Sequence, residues 1–555
     1  MNKKSLILIM ARKGSNDAIS RQNIRLVDNK PLIYYIIKTS LEFKKADVIV
    51  STDSDEIKEL SLMYGAQVIS RPKQLTKNTT SIKEICFHSL KTLKDKNQNY
   101  DSCLVLHPKI PLIQLKTIEL FFKHLKNNVD TIFGLSDILE SKFIFKTKNL
   151  NQIIKLDSVN YDSINHDVGI LNKIVSFKVQ NFLNNNGKFI GPFQGIKLSK
   201  NETHTLRSYH DFGIFEQILS RKKILVRIDS GLKIGMGHVY NMLTILNHFR
   251  NDEILIVMQK NQNLGSHKFK ENLYNVKSFS TNSELKKIID DFKPNIIFND
   301  ILNTTENYMK SLKKFNSMIV NFEDIGNGRK FANLVFNPIF KDRKKLTQEF
   351  YGGKYACVRD EFRIWKNLSL RKNIQKILIS FGGTDVSNIT KKTLSIIEKN
   401  NMKNIEFTVI LGHGFKYKNK IKQKIQQLRK NNFKIILVEK SDFLAQHIRE
   451  TDFAIISNGR TVFEVACMGV PMLTVSVNDR EKSHSFVKDK QIGYHMTFQS
   501  STFTKNLLCG VNHLTSFKNR KKYKNNLEKL DLLNGVNNVV KKINSEYELI
   551  KDSLN

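Results

Sequence analysis

Three observations predict an α/β chain built from three alternating strand–helix units. The chain has 555 residues, too many for one hydrophobic core and suited to units of roughly 150–200 residues. Short apolar runs alternate with glycine-bearing turns and helical stretches along its whole length. The alternation also restarts twice, at Lys223 and at Ile374. Such repetition builds a parallel sheet with helices on both faces.

In the first unit, Leu6–Met10 reads as a buried strand, followed by the Gly14-Ser15 loop and a helix over Pro31–Leu41. Lysines precede the apolar run as in a signal peptide. The run is short, however, and Ala11-Arg-Lys-Gly14 follows with no small-residue cleavage site. Ala46–Ser51 and Ser102–Leu106 are further strands, and Gln194–Glu216 closes the unit. The second unit opens with the strand Lys223–Ile228, the loop Asp229–His238 and the helix Val239–Phe249. Strands over Ile254–Met258, Ile296–Phe298, Met318–Phe322 and Leu334–Asn337 follow. The third unit opens at Ile374–Ser380 and continues through Phe407–Leu411, Lys434–Val438, Phe453–Ser457 and Met472–Val475. The expected domains are 1–220, 221–366 and 367–555, the last two forming the lobes of one cleft, a usual place for a nucleotide-sugar.

Composition narrows the function classes. No apolar run reaches the ~20 residues that a membrane helix needs. The five cysteines (Cys86, Cys103, Cys357, Cys467 and Cys509) show no metal or disulfide spacing, so reduced thiols, a cytoplasmic setting and no structural zinc are expected. The net charge is +38, but the lysines are spread along the chain among abundant Asn and Ile. The runs Lys416–Lys424 and Lys518–Lys524 read as solvated helix faces. Nucleic acid is therefore not an expected partner, and the positive field suits anionic nucleotides instead.

The chemistry-bearing residues sit at strand ends. Gly235-Met-Gly-His238 follows a strand and opens a helix, a setting in which backbone can approach a phosphate closely. His238 stands at the cleft mouth, where an imidazole can act as a base near neutral pH. Ser380-Phe-Gly-Gly-Thr-Asp385 provides a second backbone-amide cradle. Ser457-Asn-Gly-Arg-Thr461 provides a third, with Thr461 expected to cap the following helix and Glu464 one turn along it to accept from ribose hydroxyls. Asn478-Asp-Arg-Glu-Lys-Ser-His484 is the fourth. Any one of these has an ordinary structural explanation; four of them at strand ends across two lobes point to a ligand site.

Arg227-Ile-Asp229, Ile234-Gly-Met-Gly-His238, Phe381-Gly-Gly-Thr-Asp385, Ser457-Asn-Gly-Arg-Thr461 and Asn478-Asp-Arg-Glu481 together resemble the UDP-sugar hydrolase of pseudaminic acid biosynthesis and its spore-coat polysaccharide relatives. Asn321-Phe-Glu-Asp-Ile-Gly326 and Tyr355-Ala-Cys-Val-Arg-Asp-Glu-Phe362 add to the resemblance, which covers about Arg221 to Gly493. It implies a two-lobed glycosyltransferase-B-like fold and hydrolysis of UDP-2,4-diacetamido-2,4,6-trideoxy-β-L-altropyranose to UDP and free sugar. On this resemblance His238 is the general base that activates water. Asp229, Gly235, Gly237, Gly382, Gly383, Thr384, Ser457, Asn458, Gly459, Arg460, Thr461, Glu464 and Asn478 hold the UDP-sugar, and no cofactor is needed. The family arginine three residues after the histidine is replaced by Asn241.

In the first unit, Ala11-Arg-Lys-Gly-Ser15, Arg21-Gln-Asn-Ile-Arg25, Lys30-Pro-Leu-Ile33, Ser51-Thr-Asp-Ser54 and Arg71-Pro72 resemble the cytidylyltransferases that make CMP-sialic and related acids. The resemblance implies a Rossmann-like nucleotidyltransferase fold of glycosyltransferase-A type and a homodimer through this domain. It also implies CTP held by Arg12, Gly14, Ser15, Arg21 and Asn23, with nonulosonate as co-substrate and Mg²⁺ as the ion. Four places depart from the pattern: Asn16-Asp-Ala-Ile-Ser20, Gln22, His107-Pro-Lys-Ile-Pro111, and Thr205-Leu-Arg207 where the family has its metal-binding Asp-Ile-Asp. The fold is expected to persist while transfer activity is left open. The resulting expectation is a nonulosonic acid biosynthesis protein with a hydrolase-like second part. A glycosyltransferase of the same fold and a non-catalytic nucleotide-sugar-binding protein are the rivals.

Overall fold

A computed structural model describes residues 4–14, 19–77, 79–125, 129–137, 145–149, 152–155, 169–231, 235–340, 346–365, 370–382, 385, 387–412, 414–415, 417–439 and 444–554. The chain divides into two compact units, Met1–Ser220 and Arg221–Asn555.

The first unit is a seven-stranded mixed sheet. Its strands run in the order Phe193–Lys197, Thr131–Asp137, Gly169–Lys178, Ser102–Leu106, Ser5–Met10, Ala46–Thr52, Gln67–Ser70. Leu6 through Ile9 are fully buried because helices cover both faces, which is why this strand reads as a continuous apolar run. The expectation of a purely parallel sheet is corrected at one place: Gly169–Lys178 runs antiparallel to both of its neighbours. The helix Tyr209–Leu219 closes the unit. It starts with a reciprocal capping box between Ser208 and Asp211.

The second unit holds two parallel sheets. The first has seven strands, in the order Asn275–Phe279, Glu253–Gln259, Lys223–Ile228, Ile296–Asp300, Met318–Phe322, Leu334–Asn337, Glu349–Tyr351. The second has six, in the order Lys434–Glu439, Glu406–Leu411, Lys376–Ser380, Phe453–Ser457, Met472–Ser476, Gly493–Thr497. In each sheet the first strand in sequence lies mid-sheet and the chain winds outward to both sides. That reversal opens a crevice at the carboxyl ends of the central strands, where ligands bind. The fold class is thus α/β throughout, a unit built on one mixed sheet followed by a unit built on two parallel sheets.

Two expectations are corrected here. The final helix, Gly535–Leu554, lies within the span 367–555 but packs Val536, Val539 and Ile543 into the core of the first lobe, against Met242, Phe322 and Tyr355. The chain crosses back at its end, and its apolar stripe covers the other sheet. Within Lys518–Lys524, Arg520 is not solvated: it is fully buried and donates to the carbonyls of Arg371 and Lys372. Among the described residues no helix is long and apolar enough to cross a membrane.

Candidate active site

In the second unit the helix Gly237–Leu246 begins directly behind the strand Lys223–Ile228. Gly235 takes φ +80° in the connecting loop, a conformation that favours glycine. The turn places His238 as the second residue of the helix, only 2% exposed. Its Nδ1 contacts Oδ1 of Asp300, the last residue of the neighbouring strand Ile296–Asp300 and itself fully buried. Burial works to raise the Asp300 carboxyl. The facing His238, Arg460 and Arg480 outweigh it and hold the group below the usual carboxylate range. Burial pushes the His238 imidazole down to about 4, and Arg460 and Arg480 add to the fall against the raising influence of Asp300. At neutral pH the pair is therefore a neutral imidazole on an ionised carboxylate. Nδ1–H donates to Asp300, and the lone pair is left on Nε2.

The second lobe contributes two guanidiniums. Arg460 donates through Nε to Glu323 at 2.6 Å and through Nη1 to the Gly237 carbonyl at 2.7 Å. Its Nη2 lies 3.1 Å from His238 Nδ1, a contact that follows from both groups facing Asp300. Arg480 pairs with Glu323 and brings Nη1 to 3.2 Å from His238 Nε2. Glu323 is 2% exposed and follows the strand Met318–Phe322 with φ +52°. A non-glycine residue in that region stores strain of about 1–3 kcal/mol, of the kind that collects at functional sites.

A cleft of about 470 Å³ opens onto this cluster. Gly235, Gly237, His238, Gly382, Ser457, Asn458, Gly459, Arg460, Thr461, Asn478 and Arg480 line it. Glu464 lines the adjoining space with Asn241, Tyr240 and Arg359. Gly382 takes φ +75°, and its loop is pinned by Asp385, whose carboxylate accepts from the amides of Ile389 and Thr390 at 2.8 Å each.

Four expected ligand residues, Asp229, Asn458, Asn478 and Glu464, already have side-chain partners. Asp229 is held by both terminal nitrogens of Arg227, at 2.6 and 3.0 Å, and does not line the cleft. Asn458 is fully buried, and its amide donates to Ser476 Oγ and to the carbonyls of Glu481 and His484, so it braces the loop. Thr461 does not cap its helix: the cap position is Arg460, with no side-chain cap hydrogen bond. Asn478 caps the short helix Asp479–Ser483 through the Glu481 amide. Glu464 accepts from Arg359 at 3.2 Å. Gly383 and Thr384 lie outside the described residues. Sequence reasoning missed Asp300, Glu323 and Arg480.

Burial also pushes His484 and His495 down to about 4. With His238, these histidines stay neutral in the fold while unfolded histidines take up protons near 6.5. The unfolded chain therefore binds more protons between about pH 6.5 and 4, and stability falls as the pH falls through that window. Urea unfolding of the second unit is expected to show a midpoint that declines from pH 7 to 5; a midpoint flat over that range contradicts it.

In the first unit the expected nucleotide loop lies at the carboxyl end of Ser5–Met10. Asp53 accepts from the Lys13 amide at 2.8 Å, and the Asn23 amide donates to the Arg12 carbonyl at 2.8 Å. Asn23 thus shapes the loop that carries Arg12 and Gly14. Arg21 pairs with Glu56 at 2.6 Å, and Ser15 lies outside the described residues. Gln22 is buried and donates to the Leu206 carbonyl at 2.9 Å, tying this loop to Thr205-Leu-Arg207. That segment offers no carboxylate pair. Asp211 receives the amides of Arg207 and Ser208, and Glu202 those of Gln114 and Ser199. Among the described residues, no three His, Cys, Asp or Glu side chains gather as a metal set. Thr205 and Arg207 themselves offer no carboxylate to a divalent ion.

Residues 6–187 match the cytidylyltransferase family. The chain is 30% identical over 278 residues to an uncharacterized protein of Methanocaldococcus jannaschii, spanning 47% of this chain and 57% of that protein. It is 24% identical over 260 residues to the spore coat polysaccharide biosynthesis protein SpsG of Bacillus subtilis, covering 45% and 75%. It is 30% identical over 169 residues to the pseudaminic acid cytidylyltransferase of Campylobacter jejuni, covering 30% and 72%. Among solved structures, MurG of Acinetobacter baumannii aligns with 58% of this chain and 99% of its own at 14% identity and a TM-score of 0.44.

Proposed function

Because the chain belongs, through residues 6–187, to the cytidylyltransferase family, we propose that it serves sugar-nucleotide biosynthesis in a nonulosonic acid pathway. On this reading its second unit hydrolyses a UDP-2,4-diacetamido-2,4,6-trideoxy sugar to UDP and the free sugar. The observation that carries the hydrolase reading is the buried His238–Asp300 pair at the mouth of a cleft rimmed by the second lobe's glycine loops. Similarity to SpsG and to a pseudaminic acid cytidylyltransferase supports the pathway.

Asp300 holds the ring with Nδ1–H pointing at its carboxylate, so Nε2 accepts a proton from water as the water oxygen attacks the anomeric carbon. The bond between that carbon and the diphosphate oxygen breaks, UDP leaves with the electron pair, and the proton remains on Nε2 until solvent removes it. On this reading Glu464, which accepts from Arg359 and lines the adjoining space, takes a hydrogen bond from a ribose hydroxyl. On the same reading the backbone at Gly382 and Gly459, which lines the cleft, receives the diphosphate. UDP is a good leaving group, so fixed amide and guanidinium dipoles suffice to stabilise its charge, and no metal or cofactor enters this chemistry. Incubation of the protein with UDP-sugar alone tests the reading. UDP and free sugar are expected without an acceptor, and release that requires an acceptor favours a transferase.

The cytidylyltransferase match supports nucleotidyl transfer as the reaction class of the first unit, with CTP at the loop carrying Arg12 and Gly14. Because Thr205 and Arg207 cannot hold a divalent ion, CTP is expected to bind with the same affinity in Mg²⁺ and in chelator. Calorimetry checks this; a clear tightening of CTP binding by Mg²⁺ contradicts it.

A further inference from the structure

We propose that Arg480 couples His238 to the phosphate end of the ligand: it caps Nε2 of His238 until a diphosphate draws it away. The proposal rests on the UDP-site reading above and assigns the residue through which that site selects diphosphate-bearing sugars over neutral glycosides.

The geometry is specific. With Nδ1–H donated to Asp300, Nε2 is the ring's one acceptor, and Arg480 Nη1 stands 3.2 Å from it. A lone pair that already accepts a hydrogen bond is not free to take a proton from water. The arrangement that orients the base therefore also blocks it, unless the guanidinium moves. Arg480 is built to move and Arg460 is not. All three nitrogens of Arg460 are engaged, with Glu323, the Gly237 carbonyl and, at 3.6 Å, Asp300. Arg480 keeps a buried Nε with no partner, its side chain is 29% exposed, and it lines the cleft.

Charge supplies the trigger. The groups facing His238 are Asp300 and Glu323 from the first lobe and Arg460 and Arg480 from the second. Two acids balance two guanidiniums around a neutral ring. A diphosphate adds negative charge on the cleft side, where it competes with Glu323 for Arg480, whose Nε is unused. A guanidinium fork meets two phosphate oxygens at once, the geometry that favours arginine at phosphates. Once Arg480 turns, Glu323 retains Arg460, the lobes stay joined, and Nε2 faces the water that attacks. A ligand without phosphates leaves the cap in place.

Nitrogen NMR of the full chain with labelled histidine reads the cap directly, the His238 signal being assigned by its loss in His238→Gln. UDP is expected to move the Nε2 signal of the wild type, and uridine is not. In Arg480→Gln the signal without ligand is expected near the position that UDP produces in the wild type. UDP affinity, by calorimetry, is expected to fall about tenfold or more as a charge-assisted pair is lost, with uridine affinity unchanged. Arg480→Lys, which keeps the charge but not the fork, is expected to recover part of the affinity. UDP binding to the wild type with an unmoved Nε2 signal overturns the cap while leaving the UDP site standing. So does an Arg480→Gln signal that matches the wild type before and after UDP. Failure of UDP to bind the wild type overturns both.

Discussion

Replacement of His238 by alanine is expected to reduce UDP release from the UDP-sugar by about 10²–10⁴-fold, the usual worth of a positioned general base, while UDP itself still binds. The contrast distinguishes a base from a packing residue. His238 is almost fully buried at the start of its helix, so a purely structural role would show as lost unit-two stability and lost UDP binding together. The pH dependence follows from the same burial. The imidazole works as a base only when neutral, and its environment lowers it to about 4. The kcat/KM profile, which reports the unliganded protein, is therefore expected to be level from pH 6 to 8 and to fall only as the pH drops toward 4. A midpoint near 6.5 would mean that burial and the two facing arginines do not lower the ring, and contradicts the account.

Asp300→Asn is expected to cost about as much, roughly 10²–10⁴-fold in kcat, with the fold intact and UDP affinity little changed. An asparagine of the same shape can donate to Nδ1 and so favour the tautomer with the proton on Nε2, which removes the acceptor the reaction needs. The serine protease aspartate supplies the precedent for a loss of that order from the same substitution. A buried carboxylate facing two guanidiniums also has an electrostatic role. Asp300→Asn is thus expected to leave Arg460 and Arg480 with Glu323 as their one acid, which the pH profile will register as a further fall in the His238 titration. Stability measured alongside separates this from unfolding. A variant that keeps full activity shows that Asp300 merely pairs a buried charge.

The parts of this site that were legible in the sequence are those written in contiguous residues. Gly235-Met-Gly-His238, Gly382, Ser457-Asn-Gly-Arg-Thr461 and Asn478 each follow an apolar run. Parallel sheets turn such positions into a shared edge, and the cleft gathers them. What was not legible is pairwise and long-range. Asp300 lies 62 positions from His238 and reads as an ordinary strand exit; the strand runs two residues past Phe298, and that extension makes Asp300 a partner. Glu323 and Arg480 meet only because two lobes face each other, and nothing within either stretch announces the other. Asp229 shows the converse error. An acid after a strand looks like a ligand residue until Arg227, two positions earlier, is seen to hold it from the same strand end. The antiparallel strand Gly169–Lys178 and the return of Gly535–Leu554 to the first lobe were missed because strand direction and helix docking depend on the closed fold. In the first unit, the departure at Thr205-Leu-Arg207 was visible in the sequence. The structure adds that Asp211, the nearby acid that might have substituted, is used in capping a helix.

Incubation with the UDP-2,4-diacetamido-2,4,6-trideoxy sugar in ¹⁸O-labelled water, with chelator and no acceptor, tests the hydrolase claim most directly. UDP and free sugar in equal amounts, with the label on the anomeric oxygen of the sugar and none in UDP, are the predicted products, and His238→Ala yields neither above background. Label in the UDP phosphate would place the bond cleavage at phosphorus and contradict the role given to His238; release of UDP only when an acceptor is supplied would contradict hydrolysis itself.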